Sequence, residues 1–202
     1  MVENMNGGIF TLQNTQMNTK LEYMVQGLHQ ENYLNNTHHV KFLFLNSYIL
    51  PSEGEANNPA YSNYKHQFFP LSKTDIDETE RVIKIPLELK IFYKSIGYGF
   101  LHCNQNQAFN RILDVGSFKN INLKEDYYEF DTHLEVYDFL YSNEKLLFFE
   151  VIEGNYLAID KKDTNGRNPI YYFETKIADS LEEFLKKFDE NYDMLSQIEN
   201  GW

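Results

Sequence analysis

Between Glu125 and Glu144, carboxylates (Glu125, Asp126, Glu129, Asp131, Glu135, Asp138, Glu144) interleave with Tyr127, Tyr128, Phe130, Tyr137, Phe139 and Tyr141. The chemistry such a run can do is recognition. Carboxylates pair with lysine and arginine of another protein, and tyrosine offers contact area with a polar tip. The candidate contact residues are Glu125, Asp126, Glu129, Asp131, Glu135, Asp138 and Tyr128. An amphipathic helix with an aromatic core face and a solvated acidic face produces the same pattern. Sequence alone leaves both readings open.

Other reactive side chains are sparse. His38 and His39 are adjacent, so in a strand they point to opposite faces and cannot readily share a metal. His102-Cys103 is also adjacent, and zinc needs more ligands than one cysteine and scattered histidines supply. Cys103 has no visible neighbour to lower its pKa, and a lone cysteine is more often a small core residue. Arg111 follows Asn110 and is either an ordinary strand-edge arginine or half of a semi-buried ion pair that orders a surface. Gly97-Tyr98-Gly99 closes a helix, where a dinucleotide fingerprint would open one. Walker, G-x-S-x-G and H-E-x-x-H motifs are absent, and no pair of carboxylates is spaced as acid and base. The sequence therefore offers no positive sign of catalysis, cofactor or metal.

Composition bounds the rest. The chain has 202 residues, 42% hydrophobic and 16% aromatic, enough for a real core. Lysine and arginine number 18 against 30 aspartates and glutamates, giving a net charge of −12. Direct binding to nucleic acid is disfavoured, because phosphates need cations. A basic protein partner is favoured, although acidity also serves simple solubility. One cysteine, no membrane-length apolar run and no basic-then-apolar start fit a cytoplasmic protein.

The elements that must position these residues follow from periodicity. Leu21, Met24, Val25 and Leu28 suggest a short helix, and His38–Leu50 a buried strand. Pro51–Pro70 reads as a loop, marking a boundary between residues 1–70 and a main domain at 71–202. A polar helical stretch starts at Asp75. Pro86 suits the first turn of a helix over Ile85–Ile96 that buries Leu89, Phe92, Tyr93 and Ile96, with Gly97 at its C-terminal end. Ile112–Val115 reads as a short strand. Tyr127, Phe130, Leu134, Tyr137 and Tyr141 give a helix over Asp126–Asn143. Leu146–Ile152, Asn155–Lys161 and Pro169–Glu174 read as strands; in the second, Tyr156, Ala158 and Asp160 alternate with Leu157 and Ile159, the period of a strand with one buried face. Asp163–Gly166 is the reversal between the last two strands. Ser180 and Glu183 form a capping box opening a helix over Leu181–Leu195. Together these predict an α+β fold, a largely antiparallel, twisted sheet with packed helices.

The ordered set of these segments resembles the SUKH superfamily, the Smi/Knr-type domain. The resemblance is carried by Ile85–Tyr93 followed by Gly97–Phe100, by Asn110–Leu113, and by Leu146–Phe188, over roughly residues 70–190. Residues 1–70 match less well and are an N-terminal elaboration or extended helices of the same domain. The resemblance implies a SUKH-like fold. It implies a non-catalytic immunity protein that binds and blocks a cognate bacterial toxin, often a nuclease encoded beside it. The alternative it carries is a regulatory interaction scaffold, like the fungal cell-wall assembly regulator of the same superfamily.

Overall fold

Runs of aromatic and β-branched residues, separated by turn residues, build one eight-stranded sheet. The computed structural model describes residues 48–49, 65–103, 110–141 and 144–199. All of them lie in one compact unit, Lys41–Trp202. The strands are β1 (Tyr48–Ile49), β2 (His66–Phe69), β3 (Tyr98–Leu101), β4 (Arg111–Ile112), β5 (Lys145–Ile152), β6 (Asn155–Asp160), β7 (Ile170–Tyr172) and β8 (Thr175–Ala178). Their order in the sheet is their order in the chain. The β1–β2 pair is parallel and every later pair is antiparallel. The helices are α1 (Lys73–Val82), α2 (Leu87–Ser95), α3 (Val115–Leu123), α4 (Leu134–Tyr141), α5 (Leu181–Glu190) and α6 (Met194–Glu199). The fold is α+β, as its periodicities predict.

Cross-strand register sorts the sheet into two faces. Phe68, Ile112, Phe149, Leu157 and Tyr172 share one face through paired positions. Helices α2 and α5 close that face. Phe68 meets Phe92 at 5.7 Å, and Phe149 meets Phe184 and Phe188 at 5.4 and 5.6 Å between ring centroids. All five rings are fully buried, each worth about 1.5–3 kcal/mol relative to exposure. Leu89, Phe92, Tyr93 and Ile96 are buried as their spacing requires. Phe100, Arg111, Glu150 and Tyr156 occupy the opposite face. In β6, Tyr156 and Ala158 are buried as fully as Leu157 and Ile159, so both faces of this strand are covered.

Close backbone approach explains two glycines. A Cβ on Gly97 would lie 2.0 Å from the Phe69 carbonyl oxygen, and one on Gly99 2.1 Å from that of Gln67. Both have positive φ, +120° and +145°. The loop expected through Pro70 is therefore partly a strand. His66–Phe69 pairs with Tyr98–Leu101 and buries Phe68 and Phe69 against it.

Other boundaries moved for identifiable reasons. Val115 opens α3 where strand was expected, because the Asp114 carboxylate accepts the Gly116 and Ser117 amides at 2.9 Å and caps a helix. The Ser180 cap is as expected, Oγ accepting the Glu183 amide at 3.0 Å. The Glu183 carboxylate instead accepts from the Asp179 amide, at 2.9 Å. Helix α5 stops at Glu190, short of the expected Leu195, and Tyr192 beyond it is at the surface. Asn165 and Gly166 carry φ +56° and +74°, forming the two-residue reversal between Thr164 and Arg167. The helix expected around Leu21, the pair His38-His39 and all but Tyr48–Ile49 of the strand expected over His38–Leu50 lie outside the described residues.

Candidate protein-binding surface

The acidic–aromatic stretch is not one helix. Lys124 ends α3 with φ +56°, and Asp126 follows with φ +53°. Asp126–Tyr128 is a single 3₁₀ turn. The Asp131 carboxylate then accepts the His133 amide at 2.9 Å, competing with helical pairing. Regular helix resumes only at Leu134. The expected helix over Asp126–Asn143 is thus cut to α4, and its apolar stripe is split. Leu134, Tyr137 and Tyr141 are buried, whereas Tyr127 and Phe130 are 82% and 84% exposed.

Tyrosines fasten this excursion to the sheet. The Tyr137 hydroxyl accepts the Tyr156 amide at 2.8 Å and donates to the Gly154 carbonyl at 3.4 Å. Its ring stacks on Phe173 at 5.8 Å. The Tyr141 hydroxyl donates to the Phe173 carbonyl at 3.1 Å. Tyr128 is half-buried, and burial pushes its phenol pKa up, with Arg111 opposing. Arg111 is no edge residue. It sits on β4 between two strands, opposite Glu150, and its Nη2 lies 2.7 Å from Oε2. The semi-buried ion pair thus exists, and Tyr128 rests in its field.

The seven candidate contact residues share one surface excursion, in unequal states. Glu125 pairs with Lys119 at 3.2 Å, and Asp138 pairs with Lys124. Asp126 accepts from the Asn120 amide group at 2.6 Å. Asp131 is turned inward as a turn cap. Glu129 and Glu135 are exposed, with no ion-pair partner among the described residues. Tyr128 is partly spent on packing.

A second polar cluster was not legible in the sequence. His66, on β2, is fully buried. Its Nδ1 accepts the His102 amide at 3.3 Å, so Nε2 carries the proton and donates to Asp189 at 2.7 Å. Burial pushes the His66 pKa down to about 4 despite Asp189, so this contact is a hydrogen bond of a neutral ring. Lys65 supplies the ion pair to Asp189, at 2.8 Å. The His102 Nε2 donates to the Phe188 carbonyl at 2.6 Å, and burial lowers its pKa too. Both His66 nitrogens are consumed by protein partners, leaving neither to take a substrate proton. Burial raises the Cys103 thiol pKa, which opposes a nucleophilic thiolate. Among the described residues, no group of His, Cys, Asp and Glu is arranged to hold a metal, and no helix is long and apolar enough to cross a membrane.

Comparison with known proteins agrees with this architecture. "Immunity protein YxxD" of Bacillus subtilis (strain 168) is 41% identical over 132 residues, covering 64% of this chain and 88% of that protein. No solved structure matches the chain. The model of the SMI1 / KNR4 family (SUKH-1) matches residues 70–187, which span β3 to β8 and helices α1 to the last turn of α5. The chain belongs to the SMI1 / KNR4 family (SUKH-1).

Proposed function

We propose that this chain is a cytoplasmic immunity protein that binds a cognate bacterial toxin, a nuclease among the candidates, and blocks it without performing chemistry. The observation that carries this reading is the 41% identity to a protein named for immunity, across 88% of its length. The SUKH-like domain is residues 71–202 together with the strands β1 and β2 that join its sheet, and the remainder of residues 1–70 is an N-terminal elaboration or extended helices of the same domain. Contact is made through Glu125, Asp126, Glu129, Asp131, Glu135, Asp138 and Tyr128. The partner surface is basic, because the chain carries a net charge of −12. Blocking is steric and electrostatic: the acidic surface occupies a cationic groove that a nuclease would offer to phosphates.

The test is co-expression with the toxin domain encoded in the neighbouring gene. Growth is expected to be restored by this chain, and the two proteins to co-purify. Unrelieved toxicity with both proteins soluble would refute the reading. Within a working pair, E129K/E135K is expected to lower kon about 100-fold and to flatten its salt dependence.

A further inference from the structure

Exposed apolar surface is concentrated on the same excursion. Of eight exposed large hydrophobic side chains among the described residues, five (Leu123, Tyr127, Phe130, Val136 and Phe139) lie within Leu123–Phe139. Phe130 and Phe139 are each 84% exposed, more than any other large hydrophobic side chain described. Neither ring is needed to close the core, which α4 meets through Leu134, Tyr137 and Tyr141. The contact between Lys124 and Asp138 folds the excursion back on itself, bringing Phe139 towards its start. The tip of the β5–β6 hairpin adjoins it, since Gly154 accepts the Tyr137 hydroxyl and Ile152 beside it is half exposed. The platform beneath is held by buried tyrosines, so little ordering remains to be done on binding.

Charge identifies the occupant. Between Leu123 and Phe139 the chain has six carboxylates and one lysine. A second copy would set like charges against each other, and nucleic acid would be repelled. A basic protein face remains.

We propose that Phe130 and Phe139 are the anchors of the toxin complex, inserting into two apolar sockets on a cationic partner face, while Glu129 and Glu135 govern encounter. This rests on the immunity reading and divides its energetics between two residue classes. Aromatic anchors act mainly on dissociation, and rim charges mainly on association and its salt dependence.

The experiment measures kinetics of the full chain against a catalytically inactivated toxin domain from the neighbouring gene. F130A/F139A is expected to raise koff about 100-fold with kon within about threefold. E129Q/E135Q is expected to lower kon about tenfold and leave koff within about threefold. F130L/F139L is expected to recover part of the loss. V82A, at an exposed site on α1, is the control. Unchanged melting temperatures show that the variants are folded, as the exposure of both rings predicts. A wild-type koff in F130A/F139A overturns the anchor assignment while leaving the immunity reading intact. Failure of the wild-type chain to bind the domain overturns both. Sedimentation adds a further arm: a wild-type dimer that F130A/F139A converts to monomer would assign the patch to a second copy and overturn the proposal.

Discussion

Glu88 is fully buried. Its Oε2 accepts the Asn168 amide at 2.7 Å and the Leu181 amide at 3.1 Å, while its own amide donates to Asn168 Oδ1 at 3.0 Å. One side chain on α2 thereby satisfies the first amide of α5 and a loop amide between β6 and β7. E88A leaves two buried donors without a partner, and each such donor costs about 1–3 kcal/mol. The expected loss is about 3 kcal/mol by urea denaturation, and a loss under about 1 kcal/mol would contradict this role. His66 makes a prediction of the opposite kind, in pH. Its pKa falls from 6.5 to about 4 on folding because burial disfavours the cation. The unfolded chain therefore binds the proton first, and stability present above pH 6.5 is lost as pH falls towards 4. Asp189, held low by Lys65 and His66 against the pull of its own burial, loses stability in the same direction. Between pH 7 and pH 5 the His66 contribution is about 2 kcal/mol. H66Q is expected to flatten this slope; an unchanged slope would place the acid sensitivity elsewhere. Neither residue advertised its role in the sequence. Glu88 stood inside a recognised motif, but its partners are 80 and 93 residues away.

Elements whose cause is local were legible, and those fixed by tertiary contacts were not. Alternation and turn residues located β5, β6 and β7, and Ser180 located the start of α5. Helix α3 escaped because Gly116, Ser117, Asn120 and Asn122 are weak helix formers. It forms on the Asp114 cap and the burial of Phe118 and Ile121. Strand β8 escaped because the reversal before it uses Phe173 at φ +48°, a conformation that aromatic residues rarely announce. The acidic–aromatic excursion stood out by composition, and its carboxylates were offered as contacts. Tyr127, Phe130 and Phe139 stood in the same run but not among the candidate contacts, and helical spacing placed Tyr127 and Phe130 on a buried stripe. The left-handed Lys124 and Asp126 and the Asp131 side-chain cap break that stripe, and lysine in particular gives no sign of the break. Where local cause dominates, substitution is simple to predict. Gly166 has φ +74° in the β6–β7 reversal, and valine resists that region strongly. G166V is expected to cost about 1–3 kcal/mol in thermal or urea unfolding, and no loss would mean that the turn adapts freely.

Across the whole molecule, the acidic–aromatic excursion interrupts the sheet order nowhere: it leaves after α3 and returns at β5, so its surface can vary while the strands stay paired. The sheet order also equals the chain order, so most ladder bonds join segments close in sequence. The Glu88 contacts and the Lys65–Asp189 and His66–Asp189 contacts are exceptions, the latter two closing separations of 124 and 123 residues. Chain closure over such lengths is entropically expensive and is rewarded only once the intervening strands have docked. These clasps therefore belong after the rate-limiting barrier to folding. In stopped-flow measurements E88A is expected to speed unfolding by nearly the whole of its equilibrium effect and to leave refolding almost unchanged. A matching drop in the refolding rate would put the clasp inside the folding nucleus. On this ordering, the buried carboxylate sets how long the folded molecule persists more than how quickly it is made.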